Sequence, residues 1–140
     1  MLGPIVHHLS SLASLNTSNE RIRDLIQGKY KDGLPPTNVY LWVDVRDVAL
    51  AHVRAIEVAE AGGKRFFTTA GYFSNKQLAD IIRETHAELA SKLPENAVDD
   101  TPADIYQYNN SLVRQVLGIQ FRSLKESVSD TVTSLIKLGA

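Results

Sequence analysis

The sequence has no cysteine. That excludes disulfides, thiol nucleophiles and thiolate metal sites together, and a cytoplasmic setting is the expectation. It also lacks any excess of charge. Fifteen Lys and Arg stand against sixteen Asp and Glu, a net charge of −1, so neither nucleic acid nor an acidic membrane surface is an expected partner. No apolar run approaches the roughly 20 residues of a membrane span, and the start lacks the basic and apolar regions of a signal peptide. Glycines stand at 3, 28, 33, 62, 63, 71, 118 and 139, and none forms the G-x-x-G-x-x-G turn that cradles a dinucleotide pyrophosphate. The histidines at 7, 8, 52 and 86 show no H-x-x-x-H or H-E-x-x-H spacing, so no metal site is expected. A G-x-S-x-G elbow, a P-loop and a basic aromatic-rich stripe are missing as well.

What is present is one domain's worth of chain: 140 residues, 44% apolar and 22% charged, an ordinary globular balance. It is organised around Leu41 to Ile56, which reads as a strand running straight into a helix. Val39 to Val43 are β-branched, aromatic or aliphatic, and helical periodicity takes over after Asp44. Asp44 is the expected N-cap, and Asp47 adds a second negative charge near the positive end of the helix dipole. Val45, Val48, Ala49, His52 and Ile56 fall on one face, with Leu50, Val53 and Ala55 beside it. So wide an apolar stripe predicts a helix packed on two sides, with His52 as a hydrogen-bonded core residue. Arg46 could reach a substrate or a loop carboxylate, but a structural ion pair with Asp44, Asp47 or a missing partner is the stronger expectation.

Around this centre, a helix is predicted from Asn16-Thr17-Ser18-Asn19, capped by Thr17 or Ser18 and ending at Gly28, after a loop or short helix over His7 to Leu15. Gly62-Gly63 is expected to end the central helix. Lys64 to Thr69 reads as a second strand, and Ser74 with Gln77 as a capping box opening a helix to about Ala90, with Leu78, Ile81, Ile82 and Leu89 inward. Pro94 to Pro102 reads as an acidic exposed loop, and Asn110 to Leu117 as a short helix closed by Gly118. A second capping box, Ser123 with Glu126, starts a last helix with Leu124, Val128, Val132, Leu135 and Ile136 on its buried face.

Two segments carry a resemblance. Trp42-Val43-Asp44-Val45-Arg46-Asp47-Val48-Ala49-Leu50-Ala51-His52 resembles the D-V-R-D-V-A-x-A-H segment of extended short-chain dehydrogenases/reductases, in their C-terminal half. Leu117-Gly118-Ile119-Gln120-Phe121-Arg122-Ser123-Leu124-Lys125-Glu126 resembles the closing L-G-(F/I)-x-(F/Y)-R-(S/N)-L-(K/E)-E segment of the same superfamily. Leu2-Gly3-Pro4 matches the end of a strand reading P-x-x-V-x-G-P that returns to the cofactor crevice. The likeness is nearest to NADPH-dependent methylglyoxal, carbonyl and dihydroflavonol-type reductases.

The resemblance implies an α/β fold: a mostly helical, C-terminal, substrate-side part of an extended Rossmann-type reductase, with two or three short strands. It implies a single unit over 1–140, with the N-terminal dinucleotide-binding half absent. In the complete enzyme NADP(H) would reduce a small carbonyl substrate. Pro4 and Ser18 would flank the cofactor, and Thr17 and Trp42 would belong to the substrate-pocket wall. Ser18 also reads as a plain helix cap. The catalytic Ser, Tyr and Lys have no counterpart here, so the chain is expected to be inactive alone, to bind no cofactor tightly, and to self-associate through an exposed sheet edge. Tyr72-x-x-x-Lys76 has the family's spacing, but Ser74 as N-cap leaves Tyr72 outside the helix and the pair unaligned. Two alternatives stay open: a non-enzymatic binding module of the same fold, and a part of another extended member such as a sugar-nucleotide epimerase.

Overall fold

A computed structural model describes residues 1–8 and 11–140, so positions 9 and 10 of the loop expected over His7 to Leu15 lie outside the described residues. Five α-helices dominate: α1 Thr17–Ile26, α2 Val45–Glu57, α3 Asn75–Thr85, α4 Ser111–Leu117 and α5 Leu124–Lys137. Short 3-10 turns cover Leu12–Ser14, Ala59–Ala61 and Ala87–Lys92. Two strands, β1 Leu41–Trp42 and β2 Gly71–Tyr72, pair antiparallel. Leu2 adds a parallel bridge beside Asp44.

The main core lies between α1, α3 and α5. Ile22, Leu25, Ile26, Leu78, Ile82, Val128, Val132 and Leu135 recur at helical spacing, and each is at most 1% exposed. A smaller core joins α2 to α4 through Ala51, Ala61, Val113, Leu117 and Ile119. The start of the chain is stitched to both ends of the fold. Leu2 donates its N–H to Val43 O (2.9 Å), Val45 N–H donates to Leu2 O (2.8 Å), and Gly3 N–H donates to Thr131 Oγ1 (3.1 Å).

Several expectations need correcting. The cap of α1 is Asn16, whose side-chain amide donates to Ser18 Oγ (2.6 Å); Thr17 and Ser18 lie inside the first turn. The helix stops at Ile26, with Gly28 just beyond at φ +81°. β1 is shorter than 39–43. α2 ends at Glu57, where Val58 turns extended, so Gly62-Gly63 closes only the following 3-10 turn. Of its residues only Asp47 and Ala51 are buried, so it is packed on one side, not two. His52 is exposed, its Nδ1 2.8 Å from Val48 O on its own helix.

The largest correction concerns 64–69, which has no sheet partner among the described residues. The ladder falls instead on Gly71–Tyr72, extended by Ala70 N–H to Trp42 O and Phe73 N–H to Tyr40 O, each 2.8 Å. α3 ends at Thr85, and the chain tightens into a 3-10 turn that still buries Leu89. Ile136 is 41% exposed, because α5 buries only the face toward α1 and α3. Of the second capping box one half is present: Ser123 Oγ accepts from Glu126 N–H (3.1 Å), while the Glu126 carboxylate sits 3.3 Å from Arg122 Nε.

Candidate functional site

The Asp44 and Asp47 carboxylates, central to the resemblance, are both fully buried and both spent on structure. Asp44 Oδ1 accepts the N–H of Arg46 (2.8 Å), as its cap position demands, and also the Arg46 Nε (2.9 Å). The same guanidinium reaches Asp130 on α5 (2.6 Å), so Arg46 is a structural bridge. Burial pushes the Asp44 carboxyl up, but the Arg46 guanidinium and amide outweigh it and hold the group below the usual carboxylate range. Asp47 accepts the N–H of Arg122 (2.9 Å) and pairs with its guanidinium. Through Arg46 and Arg122, these two carboxylates tie the start of α2 to the middle of α5 and to the residues just before it.

Beside this junction, a pocket of about 110 Å³ is lined by Met1, Leu2, Ser18, Arg21, Val39, Leu41, Trp42 and Phe73. Four elements converge there: the bridged N-terminal segment, the first turns of α1, β1, and the residue after β2. Its wall is mainly apolar, with Ser18 Oγ and the Arg21 guanidinium as polar groups. Arg21 stands 5.5 Å from the centre of the Phe73 ring and donates to Asn75 Oδ1 (2.9 Å) and Thr37 O (3.3 Å). Burial lowers its pKa, with Tyr30 and Asp100 opposing, yet an arginine starts so far above neutrality that it stays charged.

Two of the four anticipated site residues, Ser18 and Trp42, therefore share one wall. Trp42 is 6% exposed and also part of the main core. Pro4 is half-buried and Thr17 exposed, and neither lines this pocket. Leu2, Arg21 and Phe73 were not singled out from the sequence. Arg21 lies one turn beyond Ser18 and shares its side of α1, which helical spacing signals; Phe73 reaches the pocket only through the β1–β2 pairing, which nothing local signals.

The Tyr72/Lys76 pair is not assembled. The Tyr72 hydroxyl donates to Tyr106 O (2.7 Å), and the Lys76 ammonium pairs with Asp80 one turn along α3 (2.5 Å). Among the described residues no cluster of His, Asp and Glu could hold a metal ion, and no helix is long and apolar enough to cross a membrane. For a dinucleotide the fit is partial: the pocket has room for one ring-sized group, and the chain carries no glycine-rich turn for a pyrophosphate.

No family model matches the chain. Its sequence is 52% identical over 139 residues to a ketoreductase of Aspergillus niger, covering 98% of this chain and 41% of that protein. It is 32% identical to a putative NADPH-dependent methylglyoxal reductase of Candida albicans, covering 97% of this chain and 40% of the relative. Among solved structures, Gre2 of Candida albicans in its NADPH complex superposes with a TM-score of 0.85 at 31% identity, over 99% of this chain and 42% of that one. Yeast methylglyoxal/isovaleraldehyde reductase Gre2 with NADPH gives 0.83 at 28% identity, over 97% and 40%. The chain spans about two fifths of the length of the curated relatives it matches.

Proposed function

We propose that this chain, whose sequence and fold are those of one part of an extended short-chain dehydrogenase/reductase, serves as the C-terminal, substrate-side portion of an NADPH-dependent carbonyl reductase and is inactive by itself. The observation that carries the reading is the convergence of Ser18 and Trp42 on one small apolar pocket, in a fold superposing on reductases solved with NADPH. NADP(H), when bound to the complete enzyme, supplies the hydride; Ser18 and Pro4 are the residues of this chain that would flank it. The chain's own share is positional. Leu2, Leu41, Trp42 and Phe73 exclude water from a small carbonyl compound, and Arg21, held by Asn75 and Thr37, offers a charged side chain on the wall. The cytoplasm is the setting this reading assigns.

The relatives named as ketoreductase and methylglyoxal reductase support a ketone or aldehyde as substrate class. The test is a fusion that places, ahead of Met1, the part of the Aspergillus niger ketoreductase that this chain does not match. The fusion should oxidise NADPH with methylglyoxal or an aromatic ketone, and the unfused chain should not. General-acid catalysis alone is worth about 10²- to 10⁴-fold, and the missing cofactor anchor adds to that loss. Trp42 is the only tryptophan, so its fluorescence reports the pocket directly. Turnover by the unfused chain that Tyr72→Phe abolishes would overturn the proposal.

A further inference from the structure

Arg21, Arg23, Arg46, Arg54, Arg83 and Arg122 are half-buried, and all but Arg21 pair with a carboxylate among the described residues. The acceptors of Arg21 are uncharged. Its Nη1 donates to Asn75 Oδ1 (2.9 Å), and both Nη1 and Nη2 donate to Thr37 O (3.3 Å each). Asp100 is close enough to favour the charge, but its oxygens accept from the Thr37 N–H and hydroxyl, 2.6 Å each, and not from Arg21. A guanidinium partly withdrawn from water without a counter-ion carries a desolvation cost that a bound anion would offset.

The unused donors lie on one edge. A guanidinium has five N–H bonds. Thr37 O takes one from each Nη and Asn75 Oδ1 takes the other on Nη1, so the Nε–H and the outer Nη2 hydrogen have no acceptor among the described residues. Those two run parallel, at the spacing of the two oxygens of a carboxylate. The edge is also held still. Asn75 Nδ2 donates to Pro35 O (2.8 Å), Asn75 N–H donates to Thr37 Oγ1 (3.0 Å), and both residues are buried.

Arg21 shares the pocket with Ser18, one turn earlier on α1. Ser18 Oγ accepts from the Asn16 amide (2.6 Å), which leaves its hydroxyl hydrogen free to donate. The wall between and around them is apolar, from Leu2, Val39, Leu41, Trp42 and Phe73, and little competing water strengthens a charge-assisted bond. A space of about 110 Å³ takes few heavy atoms, so an anion and a carbonyl held there together belong to one short molecule.

We infer that Arg21 is a specificity-determining residue, and that the pocket takes a short oxo acid, its carboxylate on the free Nε–Nη2 edge of Arg21 and its carbonyl toward Ser18. The inference rests on the reductase reading proposed above and narrows its substrate class. The carboxylate orients the molecule and is unchanged by the reduction.

Two measurements test it. In the first, Trp42 fluorescence of the unfused chain is titrated with lactate, the reduced form of a short oxo acid, and with lactamide, which has the same shape and no charge. Lactate should bind at least about tenfold more tightly, as a charge-assisted fork requires. Arg21→Gln should remove that difference, and Arg21→Lys, which keeps the charge but not the fork, should restore part of it. In the second, the fusion is assayed with pyruvate and pyruvamide. Its kcat/KM should favour pyruvate through KM, and Arg21→Gln should lower the ratio of the two at least about tenfold. Met1 also lines the pocket, and its amino group is an amide in the fusion, so this second comparison isolates Arg21. Equal binding of lactate and lactamide to the unsubstituted chain, a result that needs no variant, would overturn the inference. So would a KM for NADPH that rises on Arg21→Gln as much as the KM for pyruvate, which would make Arg21 a cofactor contact. The two proposals fail separately: a fusion that binds lactate over lactamide but turns over no carbonyl compound refutes the reductase reading alone, and one that reduces methylglyoxal with no preference for pyruvate over pyruvamide refutes the oxo-acid inference alone.

Discussion

Asp44 shows how burial changes the worth of a single residue. A surface N-cap is worth about 1 kcal/mol, and on that basis Asn or Ser would replace it at little cost. In the structure the Asp44 side chain is fully buried and held by two nitrogens of the Arg46 guanidinium, at 2.9 and 2.8 Å. Arg46 keeps Asp130 and some contact with water, so losing Asp44 does not strand a wholly buried cation. Asp44→Ala should therefore cost about 2–3 kcal/mol, short of the ~3–5 kcal/mol of a fully buried broken pair. Asp44→Asn should recover the cap but not the charge, about half of the loss, read as urea midpoints. The pH dependence follows from the lowered carboxyl pKa. An unfolded Asp takes up its proton near pH 4, before the folded one does, so this stabilisation is complete above about pH 4 and is lost as pH falls through the folded value. Asp44→Asn should flatten the acid limb of the stability profile below about pH 4. Gly3 makes the opposite point, that space alone can dictate a residue. A Cβ there would lie 2.7 Å from Val45 Cγ1, on a backbone at φ +128°. Gly3→Ala should cost about 2–4 kcal/mol, whereas Gly63→Ala, at φ +69° in open space, should cost about 1 kcal/mol in the same denaturation assay.

Among the elements, the helices are held by local chemistry and the strands by distant partners. α3 is the clearest helix. Ser74 Oγ accepts from Gln77 N–H (3.3 Å), the Gln77 side chain accepts from Ser74 N–H (3.1 Å), and Ser74 is fully buried. Ser74→Ala should cost about 1–2 kcal/mol, since the Gln77 N–H loses its acceptor and the removed hydroxyl leaves a fully buried position. Ser123→Ala, at an exposed cap with one of the two bonds, should cost about half as much by the same measurement. The strands behave differently. Phe66, Phe67 and Thr68 have the composition of a strand, yet no ladder forms there, because a strand needs a second chain segment to bond and composition supplies none.

On the scale of the whole molecule, one half is finished and the other is open. The core between α1, α3 and α5 buries its apolar residues almost completely, while Leu50, Val53, Ile56 and Phe67 are between 45% and 88% exposed. Exposed apolar area on this scale favours association. Pure chain should bind a hydrophobic dye or elute above its monomer size in size-exclusion chromatography, and Ile56→Glu with Val53→Lys should reduce both effects. A dye-silent monodisperse monomer would show that this face needs no cover.

The existence of the helices, the Asp44 and Ser74 caps and the likeness to extended reductases are legible in the sequence alone, because helical period and capping chemistry act over a few residues and the D-V-R-D and L-G-I-Q-F-R segments are contiguous. What it misplaces are the second strand, which pairs at Gly71–Tyr72, and the burial of α2. The stripe on α2 reads as core, and the fold leaves Val53 and Ile56 in water, because hydropathy records what a face requires and not whether a neighbour is there to meet it. That Ser18, Trp42, Arg21 and Phe73 meet at one pocket, and that Asp44 is bound through Arg46 to Asp130, follows from the folded arrangement alone. Those contacts join residues up to 84 positions apart in the sequence, and chain folding, not local pattern, sets such distances.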